Sequence, residues 1–212
     1  MSYRVQEIFP TLQGEGAQAG RAAIFLRFSG CNLWSGREED RFSAACRFCD
    51  TEFSTADGED GGVYDDALSL ADTVARHRNG PDSPAWVVCT GGEPLLQLDA
   101  DLIGALHAKG FLVAVETNGT LRAPEGLDWI CVSPKVGAKW IQRGGDELKV
   151  VWPQAFDLAE LERLPFDNLF LQPQDTPEDS LRSHHLRDTI RTVMERPRWR
   201  LSTQVHKLVG IP

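Results

Sequence analysis

Short apolar segments recur along the chain, and most of them end in polar or glycine-containing turns. Arg21 to Phe28 and Ala85 to Cys89 have the length and composition of buried strands. Similar segments predict strands at 111–115, 129–132, 147–152 and 168–171, and alternating apolar and polar residues predict a terminal strand at 199–205. The sequence therefore predicts at least six strands.

Helices are predicted between these strands. Apolar positions from Ala67 to Ala75 recur at helical spacing, which predicts a helix over 64–77 that Asn79-Gly80-Pro81 would stop. Further helices are predicted at 95–109, 156–164 and 178–196. The acidic, glycine-rich segment 52–62 is expected to be an exposed connector.

This alternation of strands and helices favours a parallel sheet joined by right-handed crossovers. A complete eight-unit barrel usually takes about 250 residues, whereas this chain has 212. The predicted fold is therefore α/β, a partial, open (β/α) barrel of about six parallel strands. Because the loops that follow the strands share one face, the active site is expected at the C-terminal rim.

Composition and charge narrow the possible functions. With 42% hydrophobic residues, the chain can bury one sizeable core, and a single domain over 1–212 is expected. A formal net charge of −9 argues against a general nucleic-acid binder. The N-terminus lacks the apolar region of a signal peptide, and no apolar run exceeds the short one from Ala22 to Leu26. We therefore expect no membrane association and a cytoplasmic location.

The cysteines point to metal chemistry. Five is an odd number in a chain of this size, which favours thiol or metal chemistry in a reducing compartment over a disulfide framework. Cys31, Cys46 and Cys49 lie close in sequence without a nearby fourth ligand. Three thiolates suit a four-iron cluster with one open iron. A structural zinc site closed by His77 or Cys89 is the alternative.

Other candidate ligands lie beside the predicted strands. Gln13 and Glu15 offer an amide and a carboxylate on a glycine-broken loop, which is either a ligand loop or an ordinary surface turn. Arg27 lies within an apolar segment and needs an anionic partner, either in a structural ion pair or in a substrate carboxylate. Polar residues also end four predicted strands, at 90–94, 116–119, 133–135 and 172–175.

Seven motifs occur in order along nearly the whole chain: TLQGEG at Thr11, GCNLW at Gly30, CDT at Cys49, TGGEP at Thr90, ETNG at Glu116, SPK at Ser133 and QVHK at Gln204. Together they resemble those of the 7-carboxy-7-deazaguanine synthase family of radical S-adenosylmethionine (SAM) enzymes. In one departure, fourteen residues, 32–45, separate the first two cysteines, where the common superfamily spacing has three. These residues form an insertion in the cluster loop that some members of the family share.

The resemblance implies a set of cofactors. Cys31, Cys46 and Cys49 would hold a [4Fe–4S] cluster whose open iron chelates SAM, and one electron would cleave SAM to a 5′-deoxyadenosyl radical. Thr51 would bind Mg²⁺. Phe48 is expected against the adenine, and residues 91–93 near the methionyl amine. The implied SAM-binding residues are Phe48, Cys49, Asp50, Gly91, Gly92, Glu93, Asn118, Ser133, Pro134, Lys135, Gln172, Pro173, Gln174 and Asp175.

The implied substrate is 6-carboxy-5,6,7,8-tetrahydropterin. The radical would take hydrogen from C6, and ring contraction with loss of ammonia would give 7-carboxy-7-deazaguanine, a lyase reaction of queuosine biosynthesis. Arg27 would bind the carboxylate, and His206 is expected to face the pocket as the terminal strand docks. The implied substrate-binding residues are Leu12, Gln13, Gly14, Glu15, Arg27, Thr90, Glu116, His206 and Pro212.

The resemblance also implies an electron-donor protein such as a flavodoxin, and it favours a homodimer. Two other functions remain open at this stage. One is a radical SAM activating enzyme that acts on a protein glycine, and the other is a zinc-binding module without catalysis. Cys89 and Cys131 lie in apolar segments, so both are predicted to be small buried hydrophobic residues outside any metal site.

Overall fold

A computed structural model describes residues 2–78, 80 and 85–212. Its strands are β1 (Tyr3–Leu12), β2 (Ala22–Phe28), β3 (Gly62–Tyr64), β4 (Trp86–Gly91), β5 (Leu112–Thr117), β6 (Trp129–Val132), β7 (Gly145–Trp152), β8 (Phe166–Pro173) and β9 (Arg200–Leu201). Its α-helices are α1 (Ala67–Arg76), α2 (Ala100–Ala108), α3 (Leu158–Leu161), α4 (Asp179–Glu195) and α5 (Val205–Val209). Short 3₁₀ helices occupy Gly16–Gln18, Glu38–Ser43 and Pro94–Leu96.

All the described strands belong to one sheet, in the order β3-β1-β2-β4-β5-β6-β7-β8-β9. From β2 to β9 each strand is parallel to its neighbour, whereas β1 pairs antiparallel with both β2 and β3. The sheet does not close, because β3 and β9 are its two edges. The prediction of a partial, open barrel of about six parallel strands is therefore confirmed, and the antiparallel edge is an addition to it.

Most residues of the parallel strands are apolar because both faces of these strands are covered. On β4, Val87 and Cys89 point into the core beneath α1 and α2, while Trp86 and Val88 join a smaller cluster on the opposite face. A second core lies under β6 to β8 and includes Trp199. The predicted burial of Cys89 and Cys131 is confirmed, with exposed fractions of 0% and 3%.

Several predicted boundaries were wrong. The strand expected at 199–205 contains only β9, because the chain leaves the sheet after Ser202 N–H binds the Leu171 carbonyl, and α5 follows. The helix expected at 95–109 begins at Ala100, where the Asp99 carboxylate caps the Leu102 N–H at 3.0 Å.

The helix expected at 156–164 is reduced to α3. The connector at 52–62 is not wholly exposed, since Phe53 is buried against Trp34. Asn79 and Pro81, predicted to stop the first helix, lie outside the described residues. Within the described part of the chain, no helix is long and apolar enough to cross a bilayer.

Candidate active site

A cavity of about 360 Å³ opens at the carboxyl ends of the parallel strands. This volume lies in the range of small-molecule sites. The predicted site residues that line it are Leu12, Gln13, Glu15, Arg27, Cys31, Cys46, Phe48, Cys49, Asp50, Thr51, Thr90, Gly91, Gly92, Glu116, Asn118, Ser133, Lys135, Gln172, Pro173, Asp175, His206 and Pro212. Four others, Gly14, Glu93, Pro134 and Gln174, are not among the lining residues.

Three cysteine thiols form part of the cavity wall. Cys31 and Cys49 pack against the buried Trp34 and Phe53, and the Leu33 N–H donates to Cys31 Sγ at 3.4 Å. A hydrogen bond from the Cys46 thiol lowers the pKa of Cys49 to about 6, whereas burial raises the pKa of Cys31. Three soft thiol donors beside one cavity fit an iron–sulfur cluster with one open iron.

The insertion between the first two cysteines folds back on itself. Its ends meet where the Ala45 N–H donates to the Leu33 carbonyl at 3.2 Å. Arg41 stacks over Trp34 at 4.1 Å and donates to the carbonyls of Arg47 and Cys49, at 2.9 and 3.0 Å. The insertion therefore does not carry the cysteines apart.

The residues considered as closing ligands for zinc lie elsewhere. Cys89 is in the apolar core, His77 Nε2 bonds the Asp60 carboxylate at 2.8 Å, and neither lines the cavity. Among residues 2–78, 80 and 85–212, no three His, Cys, Asp or Glu side chains gather as ligands of a single metal ion.

Two glycines let β4 pass close to the cysteine loop. A Cβ on Gly91, whose φ is +122°, would lie 2.2 Å from the Phe28 carbonyl oxygen, and one on Gly92 would lie 2.0 Å from the Gly30 carbonyl oxygen. At this crossing the Glu93 N–H donates to the Gly30 carbonyl at 2.9 Å. Only glycine fits this approach, so the glycine pair fixes the position of the residues just before Cys31.

The Glu93 carboxylate is fully buried behind the cavity wall. It accepts hydrogen bonds from Thr117 Oγ1 at 2.7 Å, from the Asn118 N–H at 2.8 Å and from the Leu95 N–H at 3.0 Å. Burial raises its pKa. Asn118 Nδ2 in turn donates to Asn32 Oδ1 at 3.0 Å, so this carboxylate links the end of β5 to the cysteine loop.

Groups of opposite charge form a buried polar network that also lines the cavity. Lys149 Nζ lies 2.5 Å from Glu15 Oε2 and 3.2 Å from Glu116 Oε1, and Gln13 Nε2 donates to Glu116 Oε1 at 3.0 Å. Burial favours the neutral acid, but the Lys149 ammonium and hydrogen bonds from amides lower the pKa of Glu15 to about 2. Burial alone would lower the pKa of Lys149, and the two carboxylates raise it.

Arg27 forms the ion pair that the sequence left as one of two alternatives. Its Nε donates to Glu7 Oε1 at 2.7 Å, and its guanidinium lies over the Phe9 ring at 5.8 Å. The side chain also lines the cavity. Because Nε makes the ion pair, the two terminal amino groups remain suited to a ligand carboxylate, which stays a prediction.

The C-terminal segment completes the cavity. His206 lies on α5 and not on the predicted strand, and its Nδ1 would be 2.0 Å from a Cβ on Gly14. The Val205 N–H donates to the Gly14 carbonyl at 2.9 Å, and Thr11 Oγ1 donates to the Pro212 carbonyl at 2.7 Å. The lack of a side chain at Gly14 therefore leaves room for the His206 ring.

Sequence reasoning missed six charged or polar residues of the cavity: Glu7, Glu52, Thr117, Lys149, Gln204 and Lys207. Gln204 Nε2 donates to Glu15 Oε1 at 2.9 Å, and Lys207 Nζ lies 2.5 Å from Asp50 Oδ2. Lys149 had a detectable signal, since a lysine within an apolar strand needs a buried anionic partner.

The segments 133–135 and 172–175, predicted to bind the cofactor, also make polar contacts within the protein. Lys135 Nζ donates to Ser133 Oγ at 2.8 Å, and burial lowers its pKa. Asp175 pairs with Lys207 at 2.7 Å, and the Gln174 N–H bonds the Trp152 carbonyl at 2.8 Å.

The chain is similar over its full length to several known proteins. The chain is 54% identical to the 7-carboxy-7-deazaguanine synthase of Bordetella pertussis, and 55% identical to those of Bradyrhizobium diazoefficiens and Caulobacter vibrioides. Each match covers 100% of both proteins. The crystal structure of QueE from Escherichia coli superposes with a TM-score of 0.66 at 27% identity, covering 97% of this chain and 95% of that one.

No protein-family model matches the chain. The full-length identities are nevertheless well above what family membership requires, and the shared fold is consistent with them. The chain belongs to the 7-carboxy-7-deazaguanine synthase family of radical SAM enzymes.

Proposed function

We propose that this enzyme converts 6-carboxy-5,6,7,8-tetrahydropterin to 7-carboxy-7-deazaguanine with loss of ammonia, as a lyase of queuosine biosynthesis. One observation carries the proposal: a single cavity joins three thiols to a cluster of amide and carboxylate groups and to Arg27. Glu116 and Glu15 would accept N–H groups from the guanidine-like edge, and Gln13 holds Glu116 at 3.0 Å. The terminal amino groups of Arg27 would bind the substrate carboxylate.

The residues that line the cavity fit a cluster and SAM. Cys31, Cys46 and Cys49 would hold a [4Fe–4S] cluster which, when bound, supplies the electron that cleaves SAM reductively. Phe48 and the peptide edges at Gly91 and Gly92 would bind and orient the cofactor. The wider predicted set of SAM contacts, including 133–135 and 172–175, remains part of this proposal. Pro134, Gln174 and Glu93 would act through the backbone or as support, since they do not line the cavity.

Thr51 is proposed as the protein ligand of a Mg²⁺ ion. Thr51 lines the cavity and lies two residues after Cys49. Magnesium prefers hard oxygen ligands and commonly takes few from the protein. An ion here would join protein oxygen to substrate oxygen and orient the substrate.

The cavity volume favours a small substrate. About 360 Å³ is a small-molecule cleft, and a protein-glycine substrate would need a wider groove. The relatives carry the name of the synthase, which also argues against a zinc-binding module. We also propose that an electron-donor protein such as a flavodoxin reduces the enzyme. The enzyme is further proposed to be a homodimer of single-domain subunits with a cytoplasmic location.

Anaerobic turnover tests this function directly. The reconstituted enzyme is incubated with SAM, Mg²⁺, a reductant and the carboxypterin, and products are identified by mass spectrometry. We expect 7-carboxy-7-deazaguanine and ammonia in equal amounts. SAM cleavage without any deazaguanine product would refute the substrate assignment.

A further inference from the structure

Lys149 is a buried cation in a cavity whose proposed ligand offers N–H donors to carboxylates. Its side chain is 6% exposed and lies on β7 between Leu148 and Val150, both fully buried in the second core. Because side chains alternate along a strand, Lys149 faces the opposite side, towards the cavity. There it contacts Glu15 and Glu116, which come from two different parts of the chain.

We propose that Lys149 is a positioning residue for the substrate, whose ammonium compensates the charges of Glu15 and Glu116 and holds both carboxylates where they accept hydrogen bonds from the pterin edge. This inference rests on the proposed function. Lys149 itself would not react.

Lys149 supplies the positive charge that compensates Glu15 and Glu116, because its other polar neighbours are neutral amides or groups that burial keeps uncharged. Gln172 and Gln204 also bond Glu15, at 2.9 Å each, but they are neutral amides. Glu147 and Cys131 face Lys149 from β7 and β6, and burial raises the pKa of both, which favours their uncharged forms. Lys135 interacts with the thiols of Cys46 and Cys49, and burial lowers the pKa of this lysine.

Two carboxylates that share one buried site cannot both ionise cheaply without a cation. Without the Lys149 charge, Glu15 would lose the interaction that lowers its pKa and would take up a proton more readily. A protonated carboxyl presents an O–H donor, whereas the pterin edge also presents N–H donors there. The resulting mismatch would weaken substrate binding more than the chemical step.

The test is Lys149→Met in the reconstituted holoenzyme with SAM and Mg²⁺. We expect KM for the carboxypterin near pH 7 to rise by about tenfold to a hundredfold, the range for a lost hydrogen bond to a charged group. The value of kcat at saturating substrate should change by less than about threefold. Removing the Lys149 ammonium raises the pKa of Glu15, and the protonated fraction of this carboxyl group then shrinks as pH rises. The KM defect should therefore diminish from about pH 6.5 to about pH 9.

Product affinity, measured by calorimetry over the same pH range, should follow the same trend. Lys149→Arg keeps the charge and should retain the wild-type pH dependence. In Lys149→Met combined with Glu15→Gln, both members of the 2.5 Å pair are gone. The carboxyl group whose protonation changes is then absent, so the pH dependence should return towards wild type. This double variant also keeps the test available if the single variant does not fold.

The outcomes separate the inference from the function on which it rests. A rise in KM for Lys149→Met that does not change with pH would indicate a packing role and overturn the inference. Wild-type KM values in this variant would also overturn it. Absence of carboxypterin turnover by the wild type would overturn the proposed function and this inference together.

Discussion

Replacing Gly92 with alanine tests whether close packing of β4 holds the cysteine loop in place. A Cβ at this position would lie 2.0 Å from the Gly30 carbonyl oxygen, 2.5 Å from the Gly30 carbonyl carbon and 3.0 Å from Cys31 Cβ. The neighbours are backbone, so they cannot turn away as a flexible side chain could. The loop must move by roughly 1 Å or more to restore van der Waals contact. That movement would also break the 2.9 Å bond from the Glu93 N–H to Gly30.

A misplacement of about 1 Å in a supporting group can cost about a hundredfold in rate. We therefore expect Gly92→Ala to contain less iron and sulfide after anaerobic reconstitution, and to turn over about a hundredfold more slowly. Gly104→Ala is the matched control, because a Cβ there meets no atom within 4 Å. Alanine in place of glycine stabilises a helix by about 0.5–1 kcal/mol, so this control should keep full activity and melt slightly higher. Wild-type iron content and turnover in Gly92→Ala would refute the reasoning.

Three further changes test the cofactor and substrate assignments. Cys46→Ala should lose the cluster and all turnover, whereas Cys89→Ala should keep both and lose about 1 kcal/mol of packing; iron and sulfide analysis distinguishes them. Arg27→Lys should lose most of the turnover and keep the cluster, because the point charge of lysine cannot make the two parallel hydrogen bonds that arginine makes to a carboxylate. Wild-type kinetics in this variant would mean that Arg27 serves only in the structural ion pair. Mg²⁺ should raise wild-type turnover and have little effect on Thr51→Val; an equal response in a Mg²⁺ titration would contradict the assignment of Thr51.

The parallel strands could be predicted because covered strands are continuous apolar runs, as in β4. The antiparallel β1 and β3 were not predicted, since β3 has only three residues and its pairing is not a local property. The terminal strand was predicted too long for a related reason. Alternation from Trp199 to Val205 indicates a strand but not whether a partner is present. After Ser202 the chain leaves the sheet and meets Gly14.

Most of the cavity could be predicted because its residues lie in short motifs at strand ends. The exceptions depend on contacts between distant parts of the chain. Glu7 occupies an ordinary polar position on β1, and only the fold shows that it pairs with Arg27. Gly14 is predicted among the substrate-binding residues, and only the fold shows that its lack of a side chain makes room for His206. Lys149 was missed although the argument applied to Arg27 holds equally for it.

The fourteen-residue insertion can be accommodated because the cysteine loop is held from its flanks. On one side, β4 packs its glycines against the residues before Cys31. On the other, Asn32 exchanges hydrogen bonds with Asn118 and Thr120 after β5, at 3.0 and 2.7 Å. The bond between Ala45 and Leu33 then closes the insertion as a loop of its own. Because the two ends of the insertion meet at this bond, we expect that its length can vary without separating Cys31 from Cys46.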